Sequence, residues 1–475
     1  MAPRRRHVRT PAAHLAPPAP QRPELASAVP ALILMEREVE QQFRPRMIAA
    51  LQEKVDAQAQ ALRDAPPPRC PHCDRAMKYK GTRCISWQTR YGWLKAFFRR
   101  FRCPLCGQES RPLLEALGVE PGQVAGSLAR LLALLGAVVP YELAARLAGL
   151  FFSVQVNAMS VWRAVQRLGE AAAQYDDALS AYHADGRSQA PCASEAPAAV
   201  VVAVDGCALG MQVRPKRRRR SSPAQQLPPL PALEGGQFRE VKTGVLLLPS
   251  ERVEPLAGRR SVVRRFLVTC LGDADTVFGH LWARLCQLGW YGPNTVVVIV
   301  GDGAEWIWKR ATLFVNRCEI LDFWHAVEHA WQFARLQFGE GAAQADKWVH
   351  RIAQDLRAGK VVAVIERLRG LSASTPQAQV ELDALIRYYS ENRHRMRYDE
   401  YLRLGYGIGS GCVESAHKQV VHARMRQAGM RWSERGARRL LALRLLLLNN
   451  QWDQLDRLAM VRVAAEDRPP VPTAA

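Results

Sequence analysis

Runs of apolar residues, and their spacing, divide the chain before any single residue is considered. Val200–Val204 is an unbroken apolar, mostly β-branched stretch ending in Asp205–Gly206, the pattern of a buried strand. Glu240–Leu248 and Arg264–Cys270 predict two further strands. Thr295–Val300 predicts a fourth, ending in Asp302–Gly303, and Cys318–Leu321 a short fifth. Helical spacing covers 274–288 and 304–315, and everything from Asp322 to about Tyr401 reads as helix. The order from residue 199 is three strands, helix, strand, helix, strand, then a helical block.

The first part of the chain has another texture. Residues 1–30 are rich in Pro, Ala and Arg and read as a disordered basic tail. Residues 31–65 form a helical segment with a break expected at Pro45, and Pro66, Pro67 and Pro68 make a hard boundary. A cysteine-bearing unit occupies 66–115, and 116–185 is helical, with Leu, Ala and Val at helical spacing over 119–175. Residues 186–198 are a polar linker. No internal repeat stands out.

Charge sharpens the picture. The 475 residues include 66 Lys and Arg against 44 Asp and Glu, a formal net charge of +22. Such an excess attracts polyanions, of which nucleic acid is the commonest. A merely solvated basic surface ranks lower because the charge is clustered. No membrane span is expected: the greasiest stretch, Leu128–Leu150, is interrupted by Arg130, Pro140, Glu142 and Arg146. Arg4, Arg5 and Arg6 are followed by Pro and Ala rather than an apolar core, so no secretory signal is read, and prolines oppose a transit peptide. The cysteines number 11, four of them in CxxC pairs, which suits a reducing, cytoplasmic compartment. Pro215-Lys216-Arg217-Arg218-Arg219-Arg220 reads as a solvated loop, with DNA contact and a generic charged loop equally open.

Cys70-Pro-His-Cys73 and Cys103-Pro-Leu-Cys106-Gly are two knuckles that together offer four thiolates to one tetrahedral Zn²⁺. The residues between them include Trp87, Tyr91, Trp93, Phe97, Phe98 and Phe101, β-formers suited to a zinc ribbon. A thioredoxin-like role would not need two pairs. Cys84 and His72 read as bystanders. Arg69–Arg111 carries 11 Lys and Arg against Asp74 and Glu109, a composition that suits DNA contact as well as scaffolding. Helices at 140–170, the second capped by Asn157 with Ser160, Arg163 and Arg167 exposed, fit a helix-turn-helix or a plain bundle.

Asp205 and Asp302 each follow an apolar strand, and carboxylates at adjacent strand ends can share a divalent ion. Each Asp-Gly is also a common turn. Gly407-Ile408-Gly409-Ser410-Gly411 then leads into a helix bearing Glu414. Lys418, Arg424, Arg426, Arg431, Arg435, Arg438, Arg439 and Arg444 follow, with only Glu434 as a further acid, and predict a phosphate track.

The phrases GDGAEWIW (301–308), LDFWHAVEH (321–329), GIGSGCVESAHK (407–418) and ARMRQAGMRWSERGA (423–437) resemble bacterial insertion-sequence transposases of the ISKra type. These are DDE enzymes distantly similar to the Mutator-like group. The resemblance spans most of 66–452. It implies an α/β RNase H-like catalytic core (199–326 and 406–452) split by an all-helical insertion (327–405), with 453–475 as a tail. It also implies Asp205, Asp302 and Glu414 as a triad for Mg²⁺ or Mn²⁺, with Asp322 and His325 in a supporting DxxH arrangement. Expected partners are DNA, both element ends and target, and further copies of the chain, in the cytoplasm at the nucleoid. The loop at 215–220 is not part of the family's pattern. Two rivals stand beside this reading. His325-Ala-Val-Glu328-His329 matches a zinc-peptidase motif that short sequences produce by chance. A non-catalytic DNA-binding regulator would use the same basic and cysteine-bearing parts.

Overall fold

Hydrophobic cores form around two separate sheets. The computed structural model describes residues 29–119, 124, 126–184, 195–212, 238–256, 259–262 and 264–460; the basic loop 215–220 lies outside them, as do most of the N-terminal tail and of the linker. The first described element, α1 (Ala31–Asp64), runs through Pro45 without the expected break. Proline removes one N–H and crowds the carbonyl four residues back. Contacts on both sides of it hold one axis here. Arg44 donates to the carbonyl of Phe152 at 2.7 Å, and Ile48, Leu51 and Val55 pack on the first sheet.

That sheet is β1 (Lys78–Gln88), β2 (Trp93–Arg102) and β3 (Glu109–Ser110), antiparallel in the order β1-β2-β3. Alternation sends Leu94, Ala96 and Phe98 inward with Ile85 and Trp87, against α1 and the short α2 (Pro112–Leu117). Trp93 and Phe97 stay exposed on the other face. The aromatics therefore divide between a small core and a solvent-facing surface. Gln52 of α1 bonds both the N–H and the carbonyl of Lys95, covering the free edge of β2.

Three helices follow: α3 (Gly126–Val138), α4 (Tyr141–Phe152) and α5 (Ala158–Ala184). Asn157 caps α5 as its sequence predicts, accepting from the Ser160 N–H at 2.9 Å. These helices share one continuous core with the second sheet; Leu128, Leu132, Val161 and Val165 belong to the same cluster as Val200–Val204.

The second sheet uses β4 (Ala199–Gly210), β5 (Phe238–Leu247), β8 (Arg265–Cys270), β9 (Val296–Gly301) and β10 (Arg317–Leu321). A hairpin of β6 (Arg252–Leu256) and β7 (Arg259–Val262), absent from the sequence expectation, precedes β8. The strand order is β10-β9-β4-β5-β8, with β4, β9 and β10 parallel and β5 antiparallel to both neighbours. Between strands lie α6 (Ala274–Gln287), capped by Asp273, and α7 (Glu305–Ala311). The all-helical block is α8 (Phe323–Phe338), α9 (Ala343–Arg357), α10 (Val361–Arg369), α11 (Pro376–Asn392) and α12 (Tyr398–Arg403).

The chain returns through α13 (Gly411–His417), a π-helical turn at Lys418–His422, α14 (Ala423–Met425) and α15 (Glu434–Leu448). Gly169 of α5 lets α15 approach closely: a Cβ there would lie 2.4 Å from the Arg439 carbonyl oxygen. The expected tail from 453 begins instead as α16 (Gln454–Met460). Its Leu455 and Leu458 are buried, and Arg130 binds Asp453 and Asp456 at 2.6 and 2.5 Å. Among the described residues no helix is long and apolar enough to cross a membrane.

Candidate functional site

Parallel pairing of β4 with β9 runs from Ala199↔Val296 to Ala203↔Val300, so Asp205 and Asp302 lie two residues beyond the last pair on neighbouring strands. The two Asp-Gly pairs serve different needs, neither of them a plain turn. Gly206 stays in β4, where the Glu240 carboxylate leaves no room for a Cβ. Gly303 has φ +104° and lies against the Tyr388 ring, 2.9 Å from where a Cβ would sit. Oδ1 of Asp205 accepts the Gly206 N–H at 2.6 Å, and Oδ1 of Asp302 accepts the Ala304 N–H at 3.0 Å. Burial, reinforced by the negative charge of Asp302 and partly offset by the Gly206 N–H, pushes the Asp205 carboxyl up to about 6.

Helix α13 packs on β4 and β5 through Val413, Ala416 and His417, with Glu414 on its exposed face. His417 lies one turn after Glu414, and its Nδ1 is 3.7 Å from Oδ2 of Asp205. Burial, with His422 and Arg426 nearby, drives its pKa down to about 4. Asp302 follows the end of β9 as expected, but Asp205 is not at a strand end: β4 continues to Gly210 beside β5, and Asp205 sits where β4 has left β9, with the Glu414 helix against the same strand. The three carboxylates do not themselves close into one cluster. Among the described residues, only the four cysteines below form a group of three or more Cys, His, Asp or Glu with all ligand atoms within 4.8 Å of one another.

Asp322 is a buried N-cap rather than an open ligand. Its Oδ1 accepts from the Trp324 N–H at 2.6 Å, while Oδ2 accepts from the Ser410 N–H at 2.8 Å and from the Ser410 hydroxyl. Burial raises its pKa, but the nearby His325 ring and the hydrogen bonds from Ser410 outweigh that and hold the carboxyl below its usual value. His325, with Nδ1 3.3 Å from Oδ2 of Asp322 though outside hydrogen-bond geometry, is raised to about 9, first by that carboxylate and then also by the charges of Asp302 and Asp205. Asp322 therefore ties the end of β10 to the loop that launches α13.

The basic run after Glu414 splits in two. Lys418, Arg426, Arg431 and Arg435 are exposed. Arg424 is not, and its assignment to the phosphate track is corrected: it is 1% exposed, donates to the Gly136 carbonyl at 3.0 Å and lies between the rings of Tyr141 and Trp432. Arg444 is likewise buried, donating to the carbonyls of Ala137, Gln419 and Val420. Gln419 and Val420 belong to the π-helical turn, whose irregular bonding leaves carbonyls for that guanidinium. Arg438 and Arg439 are paired with Asp177 and Glu170.

At the end of the first sheet, Cys70, Cys73, Cys103 and Cys106 lie with their sulfurs within 4.8 Å of one another. Tetrahedral Zn–S bonds of about 2.3 Å put sulfurs about 3.8 Å apart, so this arrangement can hold zinc as a structural ion. Each knuckle is shaped by its backbone: the Asp74 N–H bonds the Cys70 carbonyl at 2.8 Å, and the Gly107 N–H bonds that of Cys103 at 3.2 Å. The Cys106 N–H is the main cause lowering Cys103 to about 6. Cys84 lies outside the cluster, as does His72.

In the peptidase motif His325 lies beside Asp322 and His329 packs against Tyr388 at 4.1 Å between centroids, so each histidine has a partner outside the motif. Trp308 is buried under Arg395, in keeping with a core role. The sequence reading missed His417 and Tyr388. The spacing of His417 from Glu414 was a usable signal, whereas nothing local marks Tyr388. Compared with known proteins, the chain matches no family model and no curated protein.

Proposed function

We propose that this chain is a DNA transposase of the DDE class, cleaving DNA strands at the ends of an insertion sequence and joining them to target DNA. The observation that carries the reading is the placement of Asp205 and Asp302 just beyond the last pair of the neighbouring parallel strands β4 and β9, with the Glu414 helix laid across β4 and β5. In chain order the sheet reads 3-2-1-4-5 with its second strand reversed, which supports reading it as an RNase H-like core. The first sheet, with its four cysteines, is read as a zinc ribbon, and the exposed Lys418, Arg426, Arg431 and Arg435 as DNA contacts. Two DNA ends call for at least two copies of the chain, working at the nucleoid.

The donor chemistry supports reading a divalent cation into this site. Asp205 and Asp302 offer hard oxygen donors, and the Asp205 carboxyl, raised first by burial and then also by the charge of Asp302, lies beside a second carboxylate. The residues that would hold Mg²⁺ or Mn²⁺ are Asp205, Asp302 and Glu414. The chemistry a bound ion supplies is activation of water and stabilisation of charge on the phosphodiester oxygens. Asp205 is held by Gly206, Asp302 by Ala304 and Tyr388, and Glu414 through the Asp322–Ser410 anchor. The basic residues beyond Glu414 bind and orient the DNA backbone.

The test is cleavage and strand joining of the element's own ends by wild type, Asp205→Asn, Asp302→Asn and Glu414→Gln. Each variant keeps its shape and loses its charge, so each should lose activity while binding DNA as before. A wild type that binds these ends but never cuts them in Mg²⁺ or Mn²⁺ is a regulator. Any variant that cuts at the wild-type rate removes that residue from the metal site.

A further inference from the structure

We infer that His417 is a positioning residue that orients the carboxylate of Asp205 and couples it to the helix of Glu414, an inference that rests on the metal-site reading above. His417 closes α13 and is 5% exposed. Its Nδ1 faces Oδ2 of Asp205 at 3.7 Å. The other oxygen, Oδ1, is already held by the Gly206 N–H. At 3.7 Å the imidazole is a close neighbour of Oδ2 rather than a formed hydrogen-bond partner, and it limits the swing that the single Gly206 hydrogen bond leaves to the carboxylate.

No competing partner sets the ring. Among the described residues Nε2 of His417 is buried without a hydrogen bond, although buried polar atoms nearly always have one. His422 lies 6.5 Å away between ring centroids, too far to hold it. An imidazole chosen only for packing would be replaced at lower cost by an apolar side chain. An imidazole donor also differs from a lysine or arginine here: it can orient a carboxylate without placing a permanent cation beside a metal ligand. Partners of this kind typically change metal affinity or activity by about 10–100-fold. Because His417 and Glu414 are one helical turn apart, the same contact fixes how far Glu414 stands from Asp205.

The test measures Mn²⁺ binding to the full chain without DNA by titration calorimetry, alongside kcat and KM for cleavage. His417→Phe keeps a buried ring and removes the donor; it should weaken Mn²⁺ binding about tenfold or more. It should also lower kcat at fixed Mg²⁺ and leave KM for DNA unchanged. His417→Asn places an amide donor near the Nδ1 position and should restore binding to within about threefold. His417→Gln, with its donor one bond further out, should not. Thermal unfolding of the metal-free variants reports folding; if His417→Phe does not fold, the Asn and Gln variants decide, and equal affinities for the two overturn the inference. Wild-type affinity in His417→Phe overturns it while leaving the metal site standing. A wild type that takes up no Mn²⁺ overturns the metal-site reading and this inference with it.

Discussion

The hydroxyl of Tyr388, on α11 of the helical block, donates a 2.7 Å hydrogen bond to the main-chain carbonyl of Asp302. Its ring also lies against Gly303, whose φ of +104° only glycine adopts without strain. The helical block is thus attached to the turn that presents Asp302. Tyr388→Phe keeps the stacking on His329 and removes only the hydroxyl. We expect a loss of about 1 kcal/mol in stability, the worth of one neutral hydrogen bond. Cleavage should fall roughly tenfold, since small misplacement of a reacting group is costly. Unchanged kcat with lowered stability would make the contact purely structural.

Arg424 and Arg431 are a contrasting pair close together in sequence. Arg424→Met leaves the Gly136 carbonyl without its buried donor and should cost about 1–3 kcal/mol. Thermal unfolding measures it. Arg431→Ala should leave the unfolding midpoint nearly unchanged and weaken DNA binding, reducing the slope of log K against log salt by about 0.9. An unchanged slope in Arg431→Ala would remove it from the phosphate contacts.

The raised pKa of Asp205 fixes a direction for pH. An acid whose folded value, about 6, exceeds its ordinary 3.8 binds the proton more tightly when folded. Its contribution to the stability of the metal-free chain is therefore full below about 3.8 and is lost as pH rises through about 6. At pH 7.5 Asp205→Asn should unfold a few degrees higher than metal-free wild type; near pH 3.5 that difference should vanish. Proton and cation compete for the same carboxylate, so Mn²⁺ affinity should rise with pH to a plateau above about 6. An affinity flat between pH 5 and 7 would contradict the assignment.

Zinc content tests the cysteine cluster. Full-length protein should carry one zinc per chain, and Cys70→Ser with Cys103→Ser should carry none. Cys84→Ser should keep the ion, because Cys84 lies outside the cluster. A chelator should loosen the packing of α1 on the first sheet, which buries little apolar surface beyond Trp87, Phe98 and their neighbours. Wild type that folds equally well with no zinc would refute the structural role.

The sequence alone determined what depends on neighbours along the chain. Val200–Val204 and Val297–Val300 lie in strands as their unbroken apolar runs predict, all of them buried, whereas Asp205 ends the apolar run without ending its strand, which goes on to Gly210 beside β5. Paired CxxC knuckles, the Asn157 cap and the helical block are legible for the same local reason. Tertiary structure decided what depends on distant partners. Charge alone does not distinguish Arg424, enclosed by Tyr141, Trp432 and Gly136, from exposed Arg426 two residues on. Pro45 breaks no helix because Arg44 and Ile48 are held by segments remote in sequence. His417 and Tyr388 reach Asp205 and Asp302 only once strands far apart along the chain are paired, and no local pattern records that pairing.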